Sequence, residues 1–287
     1  MHFYFIGRIC RIVLRTQSNF LLEENDMKIT YKNPGFEHSV ESILLFQTDE
    51  TTPYWSDALL YFYPKIDKRE LSNKTYAYKR EYLLNVLSAT YRELEPELEN
   101  KVVLYNTRWE KYSNQIEAAF SDAFGIDTRL IFNDITANIT LNPVGPRFLK
   151  EHYFDVFYKN SDKGAIGVSI HEMIHFVWFH VWNQTFKDSY DEYDTPHLKW
   201  ILSEMVVESI MRDKRLSSIN PYFPRENGGC VYRYFQDMII KDEYILDTLE
   251  DIYQRNKMVD FMKKSYEYCM ENEGAIRSHI KKSEEKF

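Results

Sequence analysis

Cysteine is scarce: the 287 residues hold three, Cys10, Cys230 and Cys269, with no CxxC pair. So sparse and odd a set excludes a disulfide-built scaffold and a cysteine zinc site, and it fits a reducing, cytoplasmic setting. Excess positive charge is missing too. The net charge of −8 lacks the basic footprint of a nucleic-acid binder. Nor is there a run of roughly 18 apolar residues, the length a membrane helix requires. Neither nucleic acid nor membrane is therefore expected as a partner. No internal repeat and no low-complexity linker breaks the chain.

What remains is rich in core-forming side chains. Hydrophobic residues make up 44% and aromatics 16%, enough for a packed globular core rather than a disordered chain. The opening stretch MHFYFIGRICRIVLRTQSNF is apolar, but Arg8, Arg11 and Arg15 interrupt it and no small-residue cleavage site follows. That is a poor signal peptide. The expectation is that residues 1–26 are a non-native extension and that Met27 is the natural start. Glu23 and Glu24, encoded as GAG, would place a bacterial ribosome-binding site just upstream.

Periodicity organises the rest. Residues 27–105 read as a mixed and then helical N-terminal region, and residues 106–287 as a second domain with a helical C-terminal part. KREYLLNVLSATYRELE has Tyr82, Leu83, Val86, Leu87 and Tyr91 at helical spacing, and a second helix runs from about Arg108 to a stop at Gly125. The texture then turns β-branched. Two strands are predicted near 128–133 and 136–141, a turn at 142–145, and a third strand at 153–158. From Gly164 onward the chain reads as helix almost to its end. Helices, a small sheet and helices again make an α+β pattern.

The segment VSIHEMIHFV carries the chemistry. His171 and His175 are four residues apart, so on a helix they share one face and can share one metal ion. Glu172 is rotated about 100° from His171, out of ligand position but within reach of a water on the ion. Zinc hydrolysis uses this division: neutral imidazoles hold the ion, the ion acidifies water, and a carboxylate takes the proton. Val168, Ser169, Met173, Ile174, Phe176 and Val177 keep charge away from the motif. The competing reading is a core helix that happens to carry two histidines and binds no metal.

A catalytic zinc ion usually has three protein ligands. A histidine six residues after His175 would be one source, but that position is Val181, and Trp178 replaces the intervening glycine. His180 lies about 180° around the helix from His171 and reads as an ordinary half-buried histidine. TPHLKWILSEMVVESIMRDKR is the better source. Thr195 is placed as its N-cap and Pro196 as its first helical residue. Glu204 and Glu208 lie on one face of an apolar helix, where carboxylates are costly unless paired or metal-bound. Were that helix antiparallel to the first, Glu204 would fall level with His175 and Glu208 level with His171, at ~1.5 Å per residue. Glu204 is therefore the expected third ligand, and Glu208 the acceptor for the free ring N–H of His171. A solvated surface ladder and a swap of the two glutamates' roles are the alternatives.

HExxH followed some thirty residues later by a helix bearing Glu-x-x-x-acid resembles the gluzincin zinc metallopeptidases, which include thermolysin. The resemblance spans about residues 125–215 and suggests a small bacterial or phage member. It implies a zincin-like fold with one Zn2+ held by His171, His175 and Glu204, Glu172 as base, and Glu208 as orienter of a ligand histidine. The family commonly has Asn before the ligand glutamate and Asp as the later acid, where this chain has Ser203 and Glu208. The resemblance further implies an edge strand lining the cleft, placed at 137–143, and an oxyanion-stabilising Tyr or His. His197, Tyr222, Tyr232 and Tyr234 are the candidates for that role. No GxMEN-like string of the family's aminopeptidases is present, which leans toward an endopeptidase acting on a peptide or protein substrate. A zinc-binding protein that keeps the fold without turnover is the alternative function.

Overall fold

The computed structural model describes residues 28–48, 53–131, 134–188, 190–221, 225 and 229–284. The expected extension 1–26 lies outside them. A mixed sheet is built from β1 (Ile29–Lys32), β2 (Ile135–Thr140), β3 (Arg147–Phe148) and β4 (Tyr153–Phe157), in spatial order β1-β2-β4-β3. β1, β2 and β4 are parallel, and β3 is antiparallel to β4. Its two central strands, β2 and β4, are largely buried, as strands in parallel pairing usually are.

Two of the three expected strands form. In the segment near 128–133, Thr128–Leu130 is instead a 3-10 turn capped by Asp127, and residues 132 and 133 lie outside the described residues. β2 is also not an edge. β1, drawn from a segment with no strand signal of its own, pairs along the flank of β2 and leaves it interior. The edge strand next to the candidate site is β3, ten residues later in the chain than Ala137, where the edge was expected.

The N-terminal helices are α1 (Phe36–Leu44), α2 (Pro53–Phe62) and the short α3 (Lys68–Leu71). They lead into α4 (Tyr76–Phe124), which is continuous where two helices were expected. Proline inside a helix removes one ladder hydrogen bond, and Pro96 marks the apparent break. Tertiary contacts override it. Leu98, Tyr105 and Trp109 are buried, and the Asn106 side chain accepts from the Tyr31 N–H at 3.0 Å and donates to the Tyr31 carbonyl at 2.8 Å. Asn106 thus satisfies the outer edge of β1, which would otherwise expose an unpaired ladder. The boundary expected at 105/106 falls inside this helix, and one hydrophobic core runs from Ile29 to Ile276 across it. Gly125, in the left-handed conformation, ends α4 as its sequence position suggested.

Two helices then carry the candidate site: α5 (Asp162–Phe186) and α6 (Leu198–Arg212). α5 begins at Ser161, whose hydroxyl accepts from the Gly164 N–H at 3.0 Å. α6 starts two residues later than expected, with His197 in the N-cap position, because Thr195 and Pro196 belong to the turn before it. After α7 (Lys214–Ser217) and α8 (Arg233–Gln236), an unexpected hairpin, β5 (Ile239–Ile240) with β6 (Glu243–Tyr244), precedes α9 (Ile245–Arg255), α10 (Met258–Glu271) and α11 (Glu273–Glu284). Among the described residues no helix is long and apolar enough to cross a membrane.

Asp213 closes α6 and opens α7. Its carboxylate accepts from the Arg215 backbone and guanidinium and from the Tyr253 hydroxyl on α9. The Arg215 hydrogen bonds, against a smaller opposing burial effect, hold its pKa at about 2, below the ordinary 3.8. The folded pKa is depressed, so this stabilisation is complete above pH ~4 and is lost as pH falls toward ~2. Asp213→Ala should lower stability by about 1 kcal/mol at pH 7. In urea titrations the difference from wild type should shrink as pH falls through that window.

Candidate metal centre

The site sits where α5 crosses under the sheet and packs on α6. α5 is buried on nearly every side, with Ile170, Met173, Ile174, Val177 and Trp178 in the core. Two contacts fix it around the motif. The Tyr31 hydroxyl on β1 and the Ser169 hydroxyl are 2.6 Å apart, tying the helix to the sheet two residues before His171. Gly167 lets the Asn220 side chain approach, since a Cβ there would lie 2.6 Å from Asn220 Nδ2.

His171, His175 and Glu204 converge as expected, each offering one donor atom within 4.8 Å of the others. The Nε2 atoms of His171 and His175 are 3.2 Å apart. His175 Nε2 lies 3.5 Å from Glu204 Oε1, and His171 Nε2 lies 3.8 Å from Glu204 Oε2. A tetrahedral ion about 2.0–2.1 Å from each donor would separate the donors by about 3.3–3.4 Å. The trio fits that spacing, whereas 3.5 and 3.8 Å are too long for good hydrogen bonds. Two nitrogens and one oxygen are the donor set of a divalent transition ion.

Electrostatics treats the three groups differently. Burial, reinforced by the Arg147 charge, holds the His175 pKa well below its ordinary value, so this imidazole is neutral and its lone pair available. Burial opposes protonation of His171 as well, but the Glu204 and Glu172 carboxylates outweigh it and raise the pKa. Burial would push Glu204 up, yet His175, His171 and Arg147 together hold it far below the usual carboxylate range. Glu204 is thus an anion in a dry place, where an unpaired charge would cost several kcal/mol.

Glu172 is buried beside the trio and outside it. Its partner is a residue the sequence did not flag. Arg147, on edge strand β3, donates from Nη1 to Glu172 Oε2 at 3.0 Å and from Nη2 to Glu204 Oε1 at 3.4 Å. Strand register explains its reach. Arg147 is paired with Phe154, whose ring faces Phe176 on α5, so Arg147 shares that face of the sheet. Gly145 permits the approach of this segment to β4: a Cβ there would lie 2.6 Å from the Asp155 carbonyl oxygen. An arginine two residues after a turn gives no periodic signal, which is why only the fold reveals it.

Glu208 is placed differently from expectation. It does not meet His171. The Arg225 guanidinium takes its Oε1 with bonds of 2.9 and 2.6 Å and also reaches Asp247 on α9 at 2.8 Å. A guanidinium supplied by the following loop offers a charged pair, which a neutral imidazole N–H does not. Glu208 therefore anchors α6 to α9. His180 is half-buried, and burial lowers its pKa.

Of the oxyanion candidates, Tyr232 is the one on which the Glu204 and Glu172 charges act. Burial raises its pKa far above the ordinary value, with Glu204 the next cause and Glu172 also acting on it, so the phenol stays protonated. Tyr234 stacks on the Tyr232 ring at 5.3 Å and serves as its support. His197 is exposed at the start of α6, and Tyr222 lies outside the described residues.

Comparison with protein-family models, curated proteins and solved structures finds no match to this chain.

The geometry sets an expectation for metal binding. Purified protein should take up one divalent ion per chain, measured by elemental analysis and chelator competition. His175→Ala or Glu204→Gln should weaken binding by at least about 100-fold, beyond the 10- to 100-fold typical of losing a supporting partner.

Proposed function

We propose that this protein is a zinc-dependent metallopeptidase of zincin-like architecture, hydrolysing peptide bonds with Glu172 as general base. The observation that carries the reading is the convergence of His171, His175 and Glu204 to metal-ligand spacing with the Glu172 carboxylate alongside. His171, His175 and Glu204 would hold the ion. When bound, zinc supplies Lewis-acid chemistry, polarising the scissile carbonyl and acidifying the attacking water.

The chain's own residues do the rest. Glu172 accepts a proton from the water as its oxygen adds to the acyl carbon. It then delivers that proton to the nitrogen as the C–N bond breaks. The products are a carboxylate and an ammonium, with both water protons ending on the amine. Tyr232, kept protonated by its surroundings, donates to the carbonyl oxygen as negative charge develops there. Arg147 restrains the Glu172 carboxylate, so the base cannot rotate away from its work.

A second reading rests on the same arginine. Its bonds to Glu172 and Glu204 would also suit a metal-free ionic network that serves only to pin β3 onto α5 and α6. Metal content separates the two readings, because a purely structural network binds no ion stoichiometrically.

Glu172→Gln should retain zinc and lose at least about 100-fold in peptide turnover, the usual scale of general-base loss. Turnover at the wild-type rate by this variant sinks the mechanism. Tyr232→Phe should lower kcat by about 10- to 100-fold with KM little changed, because its hydrogen bond strengthens only in the transition state.

A further inference from the structure

We propose that Arg147 recognises a carboxylate on the residue that leaves as the amine, so that the preferred substrate is a peptide with a free C-terminus cut one residue from its end. This rests on the metallopeptidase reading above and specifies its substrate class.

The first strand of the argument is position. Glu172 must come within about 3 Å of the departing nitrogen to hand over its proton. In any amino acid the carboxyl oxygens lie only about 2.7–3.6 Å from the nitrogen, across three bonds of standard length. Arg147 Nη1 is 3.0 Å from Glu172 Oε2. A group bonded to the carboxylate that protonates the leaving nitrogen faces the carboxyl end of that same residue.

The second is unused capacity. A guanidinium has five N–H donors. The Arg147 side chain, only 10% exposed, uses its Nη1 and Nη2 on Glu172 and Glu204, and its guanidinium makes no other hydrogen bond among the described residues. The carboxylates acting on it are those same two glutamates, with the Tyr232 phenol a smaller influence. A divalent ion would match the two glutamate charges, leaving the arginine charge to be met by a ligand. A carboxylate meets it with paired, charge-assisted bonds, and a neutral carbonyl does so far less well.

The third is access. β3 ends the sheet, and its outer edge carries no neighbouring strand among the described residues, so an extended peptide can add alongside it. The opening beyond is narrow: His171 has the most exposed side chain of the five site residues, at 20%, and His175 is fully buried. A chain end enters such a site more readily than the middle of a folded polypeptide. This departs from the endopeptidase that the missing aminopeptidase string suggested.

The test uses the full-length, zinc-loaded protein. Tetrapeptides, N-acetylated and randomised at every position, are prepared once as C-terminal acids and once as C-terminal amides. Mass spectrometry should show release of the last residue from the acids, with kcat/KM at least about 100-fold above that for the amides, the scale of losing one partner of a buried charge pair. Arg147→Gln should erase that ratio, and Arg147→Lys should restore part of it. Equal cleavage of acids and amides by wild type, or cuts confined to internal bonds, overturns the proposal while leaving the peptidase reading intact. The wild-type comparison needs no variant to fold. If neither mixture is cleaved, calorimetric titration of both decides. Preferential binding of the acids that Arg147→Gln abolishes keeps the recognition role and discards the peptidase. Equal binding or none discards both.

Discussion

The burial of α5 is the constraint on which the site depends. A helix enclosed by sheet, α4, α6 and α10 can tolerate polar side chains only where they are paired. His171, Glu172 and His175 form the one polar face in its middle, and their partners must come from outside the helix. α6 supplies Glu204, and β3 supplies Arg147. Each of these charges would cost several kcal/mol if buried alone, so the arrangement holds together or fails as a unit. Tyr31 and Ser169 clamp the helix to the sheet beside it, which turns burial into position.

The second layer concerns α6. Its buried face presents two glutamates, and the fold gives them different duties. Glu204 faces the histidines, and Glu208 faces outward to Arg225 and through it to Asp247 on α9. One turn of helix separates a candidate ligand from an anchor. The anchor matters for the ligand, because the Glu204 carboxylate can be no better placed than the helix that carries it. Asp213 at the C-terminal end of α6 adds a tie of the same kind to α9.

Much of this was legible beforehand, for local reasons. The four-residue spacing of His171 and His175 put both on one face, and the apolar flanks announced a buried helix. The unbroken apolar run around Glu204 made that carboxylate conspicuous. Strand β4 and the end of α4 at Gly125 were equally visible, because alternation and a left-handed glycine are written in neighbouring residues. The misses share one cause. β1 looked featureless because its signal is its pairing with β2, more than a hundred residues away. α4 read as two helices because periodicity weighs residues without their distant neighbours, whereas Tyr105 and Asn106 hold the helix from across the core. Glu208 was given to His171 by counting residues along two helices, a count that could not include a guanidinium arriving from the next loop.

The sequence by itself therefore determined the shared helical face of His171 and His175, the acidic helix that brings Glu204 to them and the mixed helix-and-sheet composition, since each follows from spacing within one element. Tertiary structure alone decided that β3, and not β2, is the edge beside the site, and that Arg147 joins Glu172 to Glu204. Those outcomes depend on which distant segments pair and in what register. A one-residue slip of β3 would turn Arg147 to the opposite face of the sheet, and nothing in the residues around position 147 records which way it points.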